Sequence, residues 1–186
     1  MRNLSVFNNV SLDGFFTGPK GELDWAHTKD QDPEWSAFIA ENSNSESPLL
    51  FGRITYEMMA GYWPTPMAKQ NMPELSARMN ALPKIVFSRT MTQATWNNTR
   101  LIKGDLAKEV RKLKAEPGAD MVILGSGSMV SQLAQEGLID GYQMVLTPVV
   151  IGKGRTMFEG LKQNLELKLK KTRSFGNGNI VLWYEP

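Results

Sequence analysis

Met121-Val122-Ile123-Leu124 is an unbroken apolar run held between Pro117-Gly118 and Gly125-Ser126-Gly127. Four apolar residues without polar alternation suit a strand buried on both faces of a sheet. Such a strand needs helices above and below it, so this run limits the fold more than any other segment. The same pattern recurs along the chain. Leu4 to Val10 is a first strand, and Leu49-Leu50-Phe51 runs into Gly52 and a helical stretch from Arg53 to Met59. Lys84 to Ser88 is a third strand, Thr99 to Ile102 a weaker fourth, and Tyr142 to Val150 another that is nearly all apolar. Between them lie helical segments. One starts at Pro33 behind Asp32 as N-cap, places Trp35, Phe38 and Ile39 on one face, and dissolves over Asn42 to Ser47. Others cover Pro73 to Asn80, Asp105 to Leu113, and about Ser128 to Glu136, while Trp63-Pro64-Thr65-Pro66 breaks the helix before them. Leu165 to Leu169 alternates strictly, and with Ile180 to Tyr184 it brackets Phe175-Gly176-Asn177-Gly178-Asn179 as a terminal hairpin. Strands alternating with helices, closed by an antiparallel end, predict an α/β fold with a mixed central sheet, spanning residues 1–186 as one domain.

Composition narrows the chemistry. Cysteine is absent and His27 is the only histidine, which excludes thiol catalysis, disulfides, Cys-based zinc and a His-rich metal centre. No metal site is expected, and His27 reads as a surface residue. Lys and Arg number 21 against 19 Asp and Glu, giving a net charge of +2, so neither nucleic acid nor a membrane surface is an expected partner. No segment has the length or apolarity of a signal or a membrane span, and a cytoplasmic location is expected. Any reaction must then use carboxylates, hydroxyls, backbone amides or a bound cofactor.

Ligands of such sheets bind beyond the carboxyl ends of the strands, where this chain keeps its glycines. Gly125-Ser126-Gly127-Ser128-Met129 delivers small residues into a helix start, whose unpaired amides and dipole suit a phosphate. Gly52-Arg53-Ile54-Thr55 repeats the arrangement. A guanidinium in a first helical turn opposes the dipole unless an anion lies alongside, and the competing reading pairs Arg53 with Glu57 at i+4. Ser88-Arg89 again places a hydroxyl and a guanidinium at a strand end. Ser11-Leu12-Asp13-Gly14-Phe15-Phe16 opens a glycine-containing stretch to Glu22 that reads as a mobile loop, with aromatics suited to closing over a planar ring. Asp13 there reads as a turn-former, with an acid as the second option. The methionines at 58, 59, 67, 72 and 79 read as gap-filling core, or as an adaptable wall over a flat ligand.

Taken in order, Ser11-Leu12-Asp13-Gly14, Gly52-Arg53-Ile54-Thr55-Tyr56-Glu57, Ile85-Val86-Phe87-Ser88-Arg89, Gly125-Ser126-Gly127, and Leu138-Ile139-Asp140 leading to Pro148-Val149-Val150-Ile151-Gly152-Lys153-Gly154 resemble the dihydrofolate reductase-like superfamily. The nearest likeness is to the branch shared with the reductase domain of bacterial riboflavin biosynthesis, and it runs from Leu4 to the terminal hairpin. The resemblance implies a three-layer α/β/α fold, NADPH as cofactor, a small planar heterocycle as substrate, and a homodimer. It places Val10, Ser11, Gly52, Arg53, Thr55, Ser88, Arg89, Gly125, Ser126, Gly127, Ser128 and Met129 against the cofactor. Asn9, Phe16 and Thr147 fall to the substrate side. Glu34, with Phe38 one turn on, has the carboxylate–aromatic spacing of the superfamily's acid. Leu124 stands where riboflavin-type reductases carry a glutamate. A non-catalytic dinucleotide- or pterin-binding protein of the same fold is the alternative. A generic doubly wound dinucleotide fold predicts its glycine turn after the first strand, where this chain has Asn8-Asn9-Val10-Ser11-Leu12.

Overall fold

The computed structural model describes residues 1–27, 32–43 and 46–186, and the side chains of His27 and Ser43 lie outside that description. Along the chain come β1 (Leu4–Ser11), α1 (Pro33–Ser43), β2 (Leu49–Gly52), α2 (Arg53–Tyr62), α3 (Pro66–Asn71), α4 (Pro73–Ala81), β3 (Lys84–Phe87), β4 (Thr99–Ile102), α5 (Leu106–Ala115), β5 (Met121–Leu124), α6 (Gly127–Gln135), β6 (Gly141–Thr147), β7 (Lys168–Ser174) and β8 (Ile180–Glu185). The strands form one sheet in the order β4-β3-β2-β5-β1-β6-β8-β7. Strands β1 to β6 all run parallel, and β8 lies antiparallel between β6 and β7.

The period-two alternation of each strand divides its side chains between two faces. Leu4, Val6, Leu50, Ile85, Met121 and Ile123 point to one face, where α5 and α6 cover them with Val110, Leu113, Val130 and Leu133. Leu49, Phe51 and Val86 point the other way, against Tyr56 of α2, Met79 of α4 and Trp96. Farther along this second face, Val145 and Val181 lie under Trp35 and Phe38 of α1 and under Phe175. The result is the expected α/β/α sandwich with a mixed sheet. Burying each large apolar side chain contributes about 1.5–3 kcal/mol.

Local chemistry fixes the helix ends. Asp32 caps α1 by accepting the Glu34 and Trp35 amides at 2.8 and 3.2 Å, and its other oxygen accepts the Asn177 amide at 2.8 Å. One carboxylate thereby ties α1 to the β7–β8 turn. Lys84, 1% exposed, donates to the carbonyls of Met79, Asn80 and Leu82 at the end of α4 and lies 4.4 Å from the Trp96 ring centre. Burial pushes its ammonium down to about 8.

Several segments differ from the sequence expectations. The Pro-rich break after α2 contains a further helix, α3, because Thr65 caps the Ala68 amide and Pro66 takes the first helical position. Strand β6 stops at Thr147, and the alternation from Leu165 is only in its last residues a strand: Leu165 and Leu167 pack against the α6-side core ahead of β7. The stretch after β1 is held by paired backbone. Thr17 bridges Arg155, the Phe16 amide donates to the Arg155 carbonyl at 2.8 Å, and Leu12 donates to Val149. The expected fraying over Asn42 to Ser47 falls partly on residues 44–45, outside the described residues, as does the placement of the His27 side chain.

Candidate active site

Because β1, β2, β3 and β5 are parallel and adjacent, Ser11, Gly52, Phe87 and Leu124 end on one edge of the sheet. Two helices start there side by side. The Gly52 amide donates to Ser126 Oγ at 2.8 Å, and the Ser126 amide donates back to Thr55 Oγ1 at 3.1 Å. These reciprocal bonds lock the N-termini of α2 and α6 together. Gly125 and Ser126 both adopt the left-handed conformation, at φ of 64° and 56°. A Cβ on Gly125 would lie 2.7 Å from Thr55 Cγ2, so the close approach requires glycine.

A residue absent from the sequence expectations holds this turn. Asn8, 4% exposed, accepts the Gly125 amide on Oδ1 at 2.6 Å and donates from Nδ2 to the Gly125 carbonyl at 3.1 Å. The same Nδ2 lies 3.1 Å from Met157 Sδ. Its signal in the sequence is parity: Leu4, Val6 and Asn8 share the α6 face, and a carboxamide there must find backbone partners. With Gly125 and Ser126 amides engaged by Asn8 and Thr55, the α6 amides of Gly127 and Ser128 stay unpaired among the described residues. They share the edge with the α2 start and carry the partial positive charge of the helix end.

The other expected residues fall around this centre. Val10 shares the α6 face with Asn8, whereas Asn9, Ser11 and Thr147 face α1. The Phe16 ring lies on the α6 side, 3.2 Å from where a Cβ on Gly127 would stand, so it borders the helix start and not the α1 side. Arg53 uses Nη1 alone to reach both oxygens of Glu57, at 3.2 and 2.9 Å, and keeps its other donors. Ser88 Oγ accepts the Thr90 and Met91 amides and shapes the turn after β3, leaving Arg89 exposed beside it. Met129 is buried in the α6-side core, with its sulfur behind Gly52.

The candidate acids are set apart by their partners. Asp13 takes the Ser11 hydroxyl at 2.7 Å and the Gly152 and Ile151 amides at 2.7 and 3.3 Å. The Ser11 hydroxyl first, then these amides, hold its carboxyl below the usual range, so it clamps two loops as a carboxylate. Asp32 is likewise held low, by the Trp35 amide foremost and then by Asn177 and Glu34. Glu34 is exposed on α1, its carboxylate uncommitted among the described residues. Among those residues no group of three His, Asp or Glu side chains is placed to hold a metal ion, and no helix is long and apolar enough to cross a membrane. An open hollow of about 480 Å³ lined by Pro64, Lys69, Ser76 and Asn97 lies at the opposite end of the sheet, before β4.

Comparison with known proteins agrees with this architecture. The uncharacterized protein YyaP of Bacillus subtilis (strain 168) is 33% identical over 175 residues, covering 94% of this chain and 90% of its own length. The Thermotoga maritima diaminohydroxyphosphoribosylaminopyrimidine deaminase/5-amino-6-(5-phosphoribosylamino)uracil reductase superposes with a TM-score of 0.70 at 17% identity, over all of this chain and 56% of that one. Dihydrofolate reductase from Enterococcus faecalis, solved with NADP(H), superposes with a TM-score of 0.60 at 16% identity, over 98% and 95% of the two chains. At these identities the two structures share the fold. The RibD C-terminal domain model matches residues 2–181, and the chain belongs to that family, on a dihydrofolate reductase-like fold.

Proposed function

We propose that the chain is an NADPH-dependent reductase acting on a small planar heterocycle of pterin, flavin-precursor or pyrimidine type. The observation that carries this reading is the pair of locked helix starts, α2 and α6, with the free amides of Gly127 and Ser128 beside them. A dinucleotide's pyrophosphate fits such a cradle, which is electropositive and, at Gly125, free of any Cβ. Thr55 Oγ1 accepts from Ser126 and retains its own proton for an anionic oxygen. Arg53 keeps Nε and Nη2 for the same purpose. Ser88 and Arg89, one strand farther along the edge, suit the adenosine end, with Arg89 free to meet a 2′-phosphate. Val10 and Ser11, with Asn9 and Thr147, border the region for the nicotinamide and the substrate, and Phe16 borders the start of α6 beside it. Bound there, the cofactor supplies hydride from the nicotinamide C4. The chain's own residues position the two partners and set the local field.

Of the three candidate acids, Asp13, Asp32 and Glu34, the first two are committed to backbone amides, which leaves Glu34 to deliver a proton. Its exposure on α1 favours a second reading, a protein that binds cofactor and heterocycle without turnover. NADPH titration separates the outcomes. Binding must quench tryptophan fluorescence and raise Tm, and Arg89→Ala must erode the preference for NADPH over NADH. No quench and no Tm shift overturns the cofactor reading. Single-turnover oxidation of bound NADPH by pterins or flavin precursors distinguishes the enzyme from the binder.

A further inference from the structure

The hairpin of β7 and β8 presents different chemistry on its two faces. Residues directly opposite one another on paired strands share a face. On the α1 side, β7 places Lys171 opposite Trp183 and Arg173 opposite Val181. Both cations lie over rings, with Lys171 Nζ 5.0 Å from the Trp183 centre and Arg173 Cζ 4.7 Å from that of Phe175. On the α6 side, β7 places Leu169 opposite Tyr184, Thr172 opposite Leu182 and Ser174 opposite Ile180. That side carries no charge. It continues onto β6, where Leu146 pairs with Ile180 and Met144 with Leu182.

Only part of this face is covered. Tyr142, Met144 and Tyr184 pack into the α6-side core with Phe158, Leu165 and Leu167 of the segment between β6 and β7. Leu146, Leu182, Ile180 and Leu169 belong to none of the three cores, and Ile180 and Leu169 are 36 and 53% exposed. Four large apolar side chains with only hydroxyls between them make a sheet face that water disfavours. The edge beside it is closed to strand pairing. Strand β7 is last in the sheet and carries Lys168, Lys170, Lys171 and Arg173 with no acid, so a like strand laid along it would set cation against cation.

We infer that this α6-side face of β6, β8 and β7 is the contact between two copies of the chain, with Leu182 and Thr172 at its centre. A neutral face offers nothing to a charged partner, whereas a two-fold axis through it buries the same apolar residues of both copies in one contact. The size suits a dimer. Three strands about 4.8 Å apart and five residues of about 3.4 Å each make an apolar core of roughly 14 by 17 Å. A rim one side chain deep, about 6 Å, brings this to roughly 750 Å², close to the ~800 Å² per partner of an ordinary interface. The rim supplies both signs of charge: Lys170 bonds Glu185 at 3.1 Å, and Glu166 and Lys168 are exposed at the entry to β7. The inference gives the expected homodimer a definite surface and stands apart from the reductase reading.

Sedimentation velocity on the full chain, from about 0.5 to 50 µM, should show a reversible dimer that predominates at the upper end. Thr172→Lys changes an exposed residue opposite Leu182 and should weaken association by at least about tenfold, and Leu182→Lys by more. Met67→Lys, at an apolar residue 63% exposed on α3, should leave association unchanged. The chain has no cysteine, so Thr172→Cys supplies a single thiol. A short bis-maleimide should join two copies through it, and Met67→Cys should give no such product. A chain that stays monomeric at the highest concentration overturns the inference. So does a dimer that survives both lysine variants on the face, one weakened equally by Met67→Lys, or equal cross-linking through the two thiols.

Discussion

Asn8→Ala is the substitution that most directly probes the α6 turn. The carboxamide makes two hydrogen bonds to Gly125, at 2.6 and 3.1 Å, from a position only 4% exposed. Each such bond contributes about 1 kcal/mol net, and an unpaired buried backbone group costs about 1–3 kcal/mol. Losing both bonds, with partial repair by entering water, costs about 2–4 kcal/mol, or roughly 5–15 °C in Tm for a chain of this size. Binding should suffer beyond stability, because Gly125 and Ser126 keep their left-handed geometry only while Asn8 and Thr55 hold their amides. NADPH affinity, followed by tryptophan quenching well below the variant's Tm, is expected to weaken by about tenfold, equivalent to about 1.4 kcal/mol. Asn8→Asp is the control: it preserves the acceptor for the Gly125 amide but turns a carboxylate oxygen towards the Gly125 carbonyl. It should fold better than the alanine variant and bind NADPH no better. If Asn8→Ala changes stability by less than about 0.5 kcal/mol and leaves the affinity intact, Asn8 does not hold the turn.

Gly125→Ala combines a strained φ of 64° with a Cβ 2.7 Å from Thr55 Cγ2, so urea unfolding should show a loss of about 2–4 kcal/mol. Adding Thr55→Ser, which deletes the clashing methyl and keeps the acceptor, should restore part of it. Asp32 has a folded pKa below its unfolded value of 3.8, so its stabilisation is present above about pH 4 and disappears as pH falls through the lower folded value. Asp32→Asn should therefore show a shallower loss of stability below pH 4 in acid titration followed by circular dichroism. Lys84 has the opposite charge and a folded pKa of about 8 against 10.5 unfolded. The folded state then binds fewer protons than the unfolded state between these values, and stability rises with pH across that window. The wild type should gain on Lys84→Met between pH 8 and 10 in urea midpoints, and an unchanged gap would contradict the shift.

Much of the sheet was legible because its strands are short apolar runs bounded by glycine, proline and Asx residues, and because Asp32 and Asp105 are recognisable caps. The loop after β1 was harder to read. Its glycines imply freedom, yet Asp13 and the Thr17–Arg155 bridge tie it to the segment after β6, about 140 residues away in sequence. The alternation at Leu165 misled for a related reason: a period of two records which side chains are buried, and a non-strand segment lying along a core buries alternate residues as well. At the site, the strand-end glycines, Thr55 and Ser126 stood out from the sequence. Asn8 did not, because it is a single polar residue whose partner, Gly125, lies more than a hundred residues away.

The amino-acid order alone settles roughly where strands and helices start, that thiol chemistry and a His-rich metal centre are excluded, and that hydroxyls, guanidinia and glycines gather at strand ends. Those features follow from local propensity and composition, which need no partner elsewhere in the chain. Only the tertiary structure decided which of the groups still have something to offer a ligand. Hydrogen bonds from distant segments consume the Gly125 and Ser126 amides and complete the shells of the Asp13 and Asp32 carboxylates, while Asp13 and the Phe15 amide take the Ser11 hydroxyl. They leave Gly127, Ser128 and Arg89 with unspent capacity. A side chain's chemistry is written in the sequence, but whether it is satisfied depends on neighbours that the fold brings from far along the chain.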